Sequence, residues 1–405
     1  MKLFNNKLFD RSFSIPFIEV LSKGISFINI LLLIQILSME EFAVYSYILA
    51  IVLWASVLMD GGITNLIYNK SLKKEIDNVN MLFSAKVILS FLIIFLLLFF
   101  FVFKKPDLVI ILMILSFIIT FSSFSSLIKM FSRGNGFSDV DIVTILTEPL
   151  IRLVFLLIIY STVDLINWEF YQVLLFYLLA GLLAFIINYS RLRKYFKLKF
   201  IITDLHHLFL PIKQSLKESK YYLLYYLMVV GIGRIDIIFI EKFGTKTDLA
   251  IFSSAINIYQ VAQLFFFSVI TSQFLILIKN KNYIFKYLIP VLIIIIVFVE
   301  FISKYVYLYL FPADYIKGHI VLNFIILALL PSVLNYYLIT KNNYINHVKV
   351  NFLILFVFLI MKIGIYQFFK SEDMSTYYIV FPLIEVGILI TFLIFVKFYE
   401  STTNK

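Results

Sequence analysis

The sequence predicts an all-α integral membrane protein of about twelve transmembrane helices. They are expected in two six-helix bundles, related by a parallel pseudo-repeat around a central cavity. Three observations predict this. Of 405 residues, 62% are hydrophobic and 15% charged, whereas a soluble domain is about half apolar and roughly a quarter charged. The apolar residues fall in blocks of about twenty, the length that crosses a ~30 Å hydrocarbon layer; Val87–Phe103 and Val291–Val299 are the plainest. A pattern also recurs half a chain apart: EFAVYSYILAI starts at Glu41 and DLAIFSSAINI at Asp248. A β-barrel would show short alternating segments instead.

Taken in order, the expected spans are 13–36, 42–68, 79–103, 108–131, 140–160, 169–190, 221–241, 249–277, 284–303, 316–339, 350–369 and 375–396. The first begins near Ser12 and runs long, without a small-residue cleavage site, so it reads as a retained helix rather than a signal peptide. Most connections are short. Arg133–Gly136 reads as a turn between spans four and five. The one long connection, 191–220, is basic and partly amphipathic, as expected of a segment along a membrane surface. The chain therefore divides into an N-terminal bundle (1–190), a basic cytoplasmic connection (191–220) and a C-terminal bundle (221–405). Six spans per half keep both halves in one orientation, as a parallel repeat requires.

Lys and Arg outside the spans orient the chain. With the N-terminus inside, the inner segments hold 23 and the outer segments 7, a bias that places both termini in the cytoplasm. The formal charge of +11 then reflects loop topology rather than nucleic acid.

Ten ionisable residues fall inside the expected spans: Glu19, Lys23, Lys86, Glu148, Arg152, Arg234, Asp236, Glu300, Lys362 and Glu385. Each costs roughly 3 kcal/mol at the bilayer centre. Ten facing lipid would cost on the order of 30 kcal/mol, more than the 5–15 kcal/mol that holds a fold. Most must pair, reach an interface or line an aqueous cavity. Glu19 and Lys23 are four apart on one helix, as are Glu148 and Arg152, the spacing of intrahelical pairs. Lys86 and Glu300 lie near span ends and can snorkel. Lys362 and Glu385 sit at similar depth on adjacent spans and can bridge. Arg234 and Asp236, in GIGRIDIIFI, have no local partner. Gly231 and Gly233 before them leave room for close approach or unwinding. A cavity-lining role fits them best, with Arg234 presented to an anion and Asp236 bridging or carrying a coupling proton. Asp60, in LMDGG, reads equally as a helix-end carboxylate or a gating group.

Other chemistry is missing. Without cysteine there are no disulfides, thiolate metal sites or thiol nucleophiles. The four histidines, His206, His207, His319 and His347, lack metal-ligand spacing. No phosphate-binding glycine loop, nucleophile elbow or zinc protease motif occurs. No catalytic residue, metal or cofactor is assigned, and transport is the default.

The chain resembles polysaccharide flippases of the O-antigen translocase (Wzx) type, in the superfamily of multidrug and toxin extruders. The resemblance rests on LSMEEFAVYSYILAI, LMDGG, Arg133-Gly134, GRIDIIFIEKFGTKTDLAIFSSA and FPADY (Phe311–Tyr315). It implies two six-helix bundles around a cationic central cavity. It also implies translocation of undecaprenyl-diphosphate-linked oligosaccharides across the bacterial inner membrane, by alternating access coupled to an H+ or Na+ gradient. Membrane lipids, a polysaccharide polymerase and a chain-length regulator are the implied partners. The substrate-binding candidates are Arg234, Lys23, Arg152 and Lys362. The coupling or gating candidates are Asp236, Glu19, Glu148, Glu385 and Asp60. Two alternatives stand beside this reading. A drug exporter of the same superfamily would use acidic cavity residues, and a membrane glycan polymerase would carry a large external loop.

Overall fold

The computed structural model describes residues 2–403 except 73, 75–78, 164, 167, 198–204, 280–283, 346 and 370–374. Its α-helices are α1 (Lys2–Ile36), α2 (Met39–Asp60), α3 (Ile63–Leu72), α4 (Val79–Lys104), α5 (Val109–Asn135), α6 (Ser138–Thr162) and α7 (Phe170–Leu192). They continue as α8 (Leu205–Phe243), α9 (Lys246–Lys279), α10 (Ile289–Leu310), α11 (Gly318–Ile326), α12 (Leu329–Tyr344), α13 (Val348–Phe369) and α14 (Ser375–Thr403). The described residues contain no strand. Among the described residues eleven helices are long and apolar enough to cross a membrane, or twelve if α11 and α12, which meet at a 43° bend, are counted as one span.

The span expected over 316–339 is built as two helices that meet at this bend, and Pro331 explains it. Proline has no N–H for the carbonyl four residues back, here Leu327, and its ring clashes there. The N–H of Ala328 turns instead to Ile325 O at 3.0 Å. Two expectations are corrected. Arg133–Gly136 is not a turn, because α5 runs to Asn135 and ends on Gly136 at φ +79°. The second half of the 191–220 connection is helical and continuous with span seven, since α8 begins at Leu205; residues 198–204 lie outside the described residues.

The recurring pattern has a physical origin in two helix starts. At α2, the Ser38 N–H and hydroxyl donate to Glu41 Oε2 at 2.9 and 2.8 Å, and the Glu41 N–H returns to Ser38 Oγ at 3.3 Å. At α9, Thr245 and Asp248 repeat this reciprocal arrangement at 3.1, 2.6 and 3.1 Å. Both are capping boxes, which satisfy N–H groups that a helix start leaves open. The residues that follow in register, Ala43 and Ala250, are fully buried.

The chain forms two compact units, one of Met1–Leu32 and Ile48–Leu227, the other of Leu33–Tyr47 and Met228–Lys405. In the first, Pro149 interrupts α6 and leaves the Ile145 carbonyl without its helical donor. Ser22 of α1 fills the vacancy, its hydroxyl 2.9 Å from Ile145 O, and Asn29 Nδ2 donates to Pro149 O at 2.9 Å. The paired glycines Gly61 and Gly62 take φ of +56° and +76°, a region open to glycine at little steric cost, and they separate α2 from α3. In the second unit, a Cβ at Gly318 would lie 2.3 Å from the Tyr307 ring. That ring stacks on Phe311 with centroids 4.5 Å apart, and its hydroxyl is 3.0 Å from Ser254 Oγ.

Apolar side chains face outward in both units. Phe91, Phe95, Phe99 and Phe103 form an exposed stripe on α4, and Ile294, Phe298, Phe301 and Tyr305 line α10. The buried set includes Lys86, Asp141, Asp236 and Lys362. Such surfaces need a hydrocarbon solvent, and the interior charges need partners.

Candidate functional site

In the first unit, charged side chains from α1, α5 and α6 gather into one network. Arg133 Nη2 donates to Glu19 Oε1 at 2.8 Å. The same guanidinium grips buried Asp141 through two bonds, Nε to Oδ2 at 2.9 Å and Nη2 to Oδ1 at 3.2 Å. Arg152 pairs with Glu148 one turn away, as the i,i+4 spacing predicts, and lies over the Tyr177 ring at 5.0 Å. Glu148 also accepts from the Ser122 hydroxyl.

The expected Glu19–Lys23 pair is corrected: Arg133 takes Glu19, and Lys23 is exposed and makes no hydrogen bond or ion pair among the described residues. Its charged neighbours are Glu19 and Glu148. Lys129 is also without an ion pair, with Arg133, Glu19, Lys23 and Asp141 around it. Four cations thus stand against three carboxylates. The sequence reading placed Arg133 in a turn and did not single out Lys129 or Asp141. The available signal was the four-residue spacing of Lys129 and Arg133 ahead of a glycine able to cap a helix.

Asp60 is the last residue of α2 and binds Lys86 of α4. Lys86 does not snorkel, as expected from its place near a span end, but is wholly buried. Its Nζ donates to Asp60 Oδ1 at 2.7 Å, Thr64 Oγ1 at 2.8 Å and Ser123 O at 3.0 Å. Thr64 also donates to Asp60. The snorkelling path is blocked because all three acceptors lie inside the unit.

In the second unit, α8 carries Arg234 and Asp236 on an unbroken helix, so Gly231 and Gly233 cause no unwinding. Open space lies where a Gly233 side chain would stand. The two charges diverge, as residues two apart must. Asp236 is fully buried and takes Lys362 of α13, Nζ to Oδ2 at 2.7 Å; Tyr366 donates to its other oxygen. Lys362 also donates to Ile232 O at 2.9 Å and lies 4.9 Å from the Phe381 ring centroid. The expected Lys362–Glu385 bridge therefore does not form. Glu385 instead accepts from Asn335 Nδ2 at 2.9 Å, because Asp236 offers Lys362 a nearer carboxylate.

Arg234 differs from these. Half-buried, it donates from Nη2 to Gln260 Oε1 at 3.0 Å and forms no ion pair among the described residues. Its charge is uncompensated, and one neutral amide leaves most of its five donors free. Arg234, Lys23 and Lys129 are positive groups in spanning helices that make no ion pair among the described residues. Lys362 and Arg152 are already neutralised. Among the described residues no group of three His, Asp or Glu could hold a metal ion.

Comparison with known proteins places this geometry. The fold is similar to that of a lipid II flippase, MurJ, in an inward closed conformation, at 14% identity and TM-score 0.72, covering 95% of this chain and 87% of that one. It is also similar to multidrug resistance MATE transporters of the MOP superfamily. The inward-facing form matches at 13% identity and TM-score 0.65, covering 94% and 92%; the outward-facing form matches at 14% and 0.59, covering 97% and 96%. A search of curated proteins finds no match. Residues 9–275, about two thirds of the sequence, match the family described as polysaccharide biosynthesis protein, and to that family the chain belongs.

Proposed function

We propose that the protein is a flippase. It moves undecaprenyl-diphosphate-linked oligosaccharide repeat units from the cytoplasmic to the outer leaflet of the bacterial inner membrane, for O-antigen, capsule or another surface polysaccharide. Both termini lie in the cytoplasm in this reading. The polymerase and chain-length regulator act on the product, and an H+ or Na+ gradient drives alternating access. The observation that carries the reading is a set of cations in spanning helices without an ion pair among the described residues: Arg234, whose hydrogen-bond partner is neutral Gln260, and Lys23 and Lys129, whose neighbouring carboxylates pair elsewhere. A free cation at membrane depth is costly, and a ligand that brings negative charge relieves that cost. A diphosphate suits both an arginine fork and lysine point charges. The family membership and the likeness to a lipid II flippase support a lipid-linked glycan as the bearer of that diphosphate. A cationic drug is disfavoured by the same charges. The protein is read as a transporter, not an enzyme.

Depletion tests the proposal. In a strain lacking the protein and any redundant flippase, lipid-linked repeat units accumulate on the cytoplasmic leaflet and surface polysaccharide falls. Normal surface polysaccharide in that strain refutes it.

A further inference from the structure

Among the described residues, each unit contains one fully buried lysine whose ammonium group sits among oxygen atoms. In the first, Lys86 Nζ has a carboxylate oxygen, a hydroxyl and a main-chain carbonyl at 2.7, 2.8 and 3.0 Å, supplied by α2, α3 and α5. Three acceptors saturate the three donors of an ammonium ion. In the second, Lys362 Nζ has the Asp236 carboxylate and the Ile232 carbonyl at 2.7 and 2.9 Å, with the Phe381 ring 4.9 Å from it. The second Asp236 oxygen is held by Tyr366. The carboxylate, hydroxyl and carbonyl oxygens that converge on Lys86, and the carboxylate and carbonyl oxygens that converge on Lys362, are also the ligand types of hard cations. Here that point is occupied by a cation tied to the chain.

We propose that Lys86 and Lys362 are resident cations, filling oxygen cages that would otherwise take a monovalent metal ion, so that neither Asp60 nor Asp236 binds Na+ or K+ from solution. The inference rests on the transporter reading only in its bearing on coupling: a sodium gradient, if used, does not act through these two carboxylates. It revises the assignment of Lys362 to substrate and of Asp236 to ion coupling. Both are consumed by each other.

The test is equilibrium binding of radioactive sodium to the purified full-length protein in choline-substituted buffer. Wild-type protein is expected to show no saturable binding that Asp60→Asn or Asp236→Asn removes. Lys86→Met and Lys362→Met each leave their oxygens in place and empty the cage. Each is expected to gain saturable, stoichiometric sodium binding, lost again when Asp60→Asn or Asp236→Asn is added to the same chain. Saturable wild-type binding that either Asn variant abolishes overturns the proposal, as does a well-folded Lys→Met protein that binds no sodium. If a Lys→Met chain does not fold, thermal melting of the wild type decides. Equal melting in sodium and choline supports the proposal, and a sodium-dependent rise absent from Asp60→Asn or Asp236→Asn overturns it. None of these readouts involves the transported substrate, so their failure is distinct from failure of the flippase reading.

Discussion

Replacing Arg234 by alanine separates a binding role from a structural one, because the structure assigns the two roles different magnitudes. Within the fold Arg234 makes one hydrogen bond, to neutral Gln260 at 3.0 Å, and its contribution of roughly 1.5–3 kcal/mol is offset by the roughly 3 kcal/mol that an unpaired cation costs at membrane depth. Toward a phosphate the same guanidinium would make charge-assisted bonds of roughly 1.5–3 kcal/mol each. Loss of one such bond weakens binding roughly 10- to 150-fold, since 1.4 kcal/mol is a factor of ten. Arg234→Ala is therefore expected to melt within a few degrees of wild type while translocation falls at least tenfold. Arg234→Lys keeps the charge and loses the fork, so it should retain an intermediate rate. Gln260→Ala is the matched control: it removes the same internal bond but leaves the cation, and should transport close to normally. The assay is translocation of lipid-linked oligosaccharide in reconstituted vesicles at equal protein content. Wild-type transport by Arg234→Ala refutes the argument, and so does a loss of transport that follows only from loss of folded protein.

Lys23→Ala and Lys129→Ala should each reduce translocation with little change in melting, because neither lysine makes an ion pair in its unit; a melting loss as large as that of Arg133→Ala would make them structural. Arg133→Ala itself should be strongly destabilising, since it strands buried Asp141, and breaking a buried pair costs about 3–5 kcal/mol; circular-dichroism melts decide. Burial, with Asp314 adding to it, pushes the Tyr315 hydroxyl above the ordinary tyrosine range. A raised folded-state value gives stability that is whole below about pH 10 and lost as the pH climbs through the folded value. Tyr315→Phe should abolish that alkaline loss and leave neutral-pH melting unchanged or higher, because the buried hydroxyl has no hydrogen-bond partner among the described residues. An unaltered alkaline profile would show that another group titrates.

The spans were legible because hydrocarbon thickness dictates their length, and the recurring pattern because its residues are contiguous along two helix starts; the capping boxes ahead of them were not read. The Glu148–Arg152 pair was legible because it, too, is local along the chain. What could not be read is what tertiary packing decides. Lys86 finds its three acceptors 26, 22 and 37 residues away, and Lys362 finds Asp236 at a separation of 126. No periodicity announces such partners, so a completely buried lysine looked like one near a span end. Lys129 and Arg133 were missed because Gly134 and Gly136 suggested a turn. In the folded chain Gly134 instead packs against Ser71 and the Tyr68 carbonyl within the helix.

The proline in α6 has a mechanical consequence. The carbonyl that Pro149 orphans is served by a hydroxyl from another helix, so this turn of α6 stays satisfied only while α1 keeps its present axial position. If α1 slid by one turn, Ser22 would leave Ile145 O bare in an apolar interior, a loss of several kcal/mol. The two helices are thereby geared together. Lys23 follows Ser22 directly and Glu148 precedes Pro149 directly, so the gearing also fixes the spacing between that lysine and the nearby carboxylate. A stroke that carries one of these charges must carry the other.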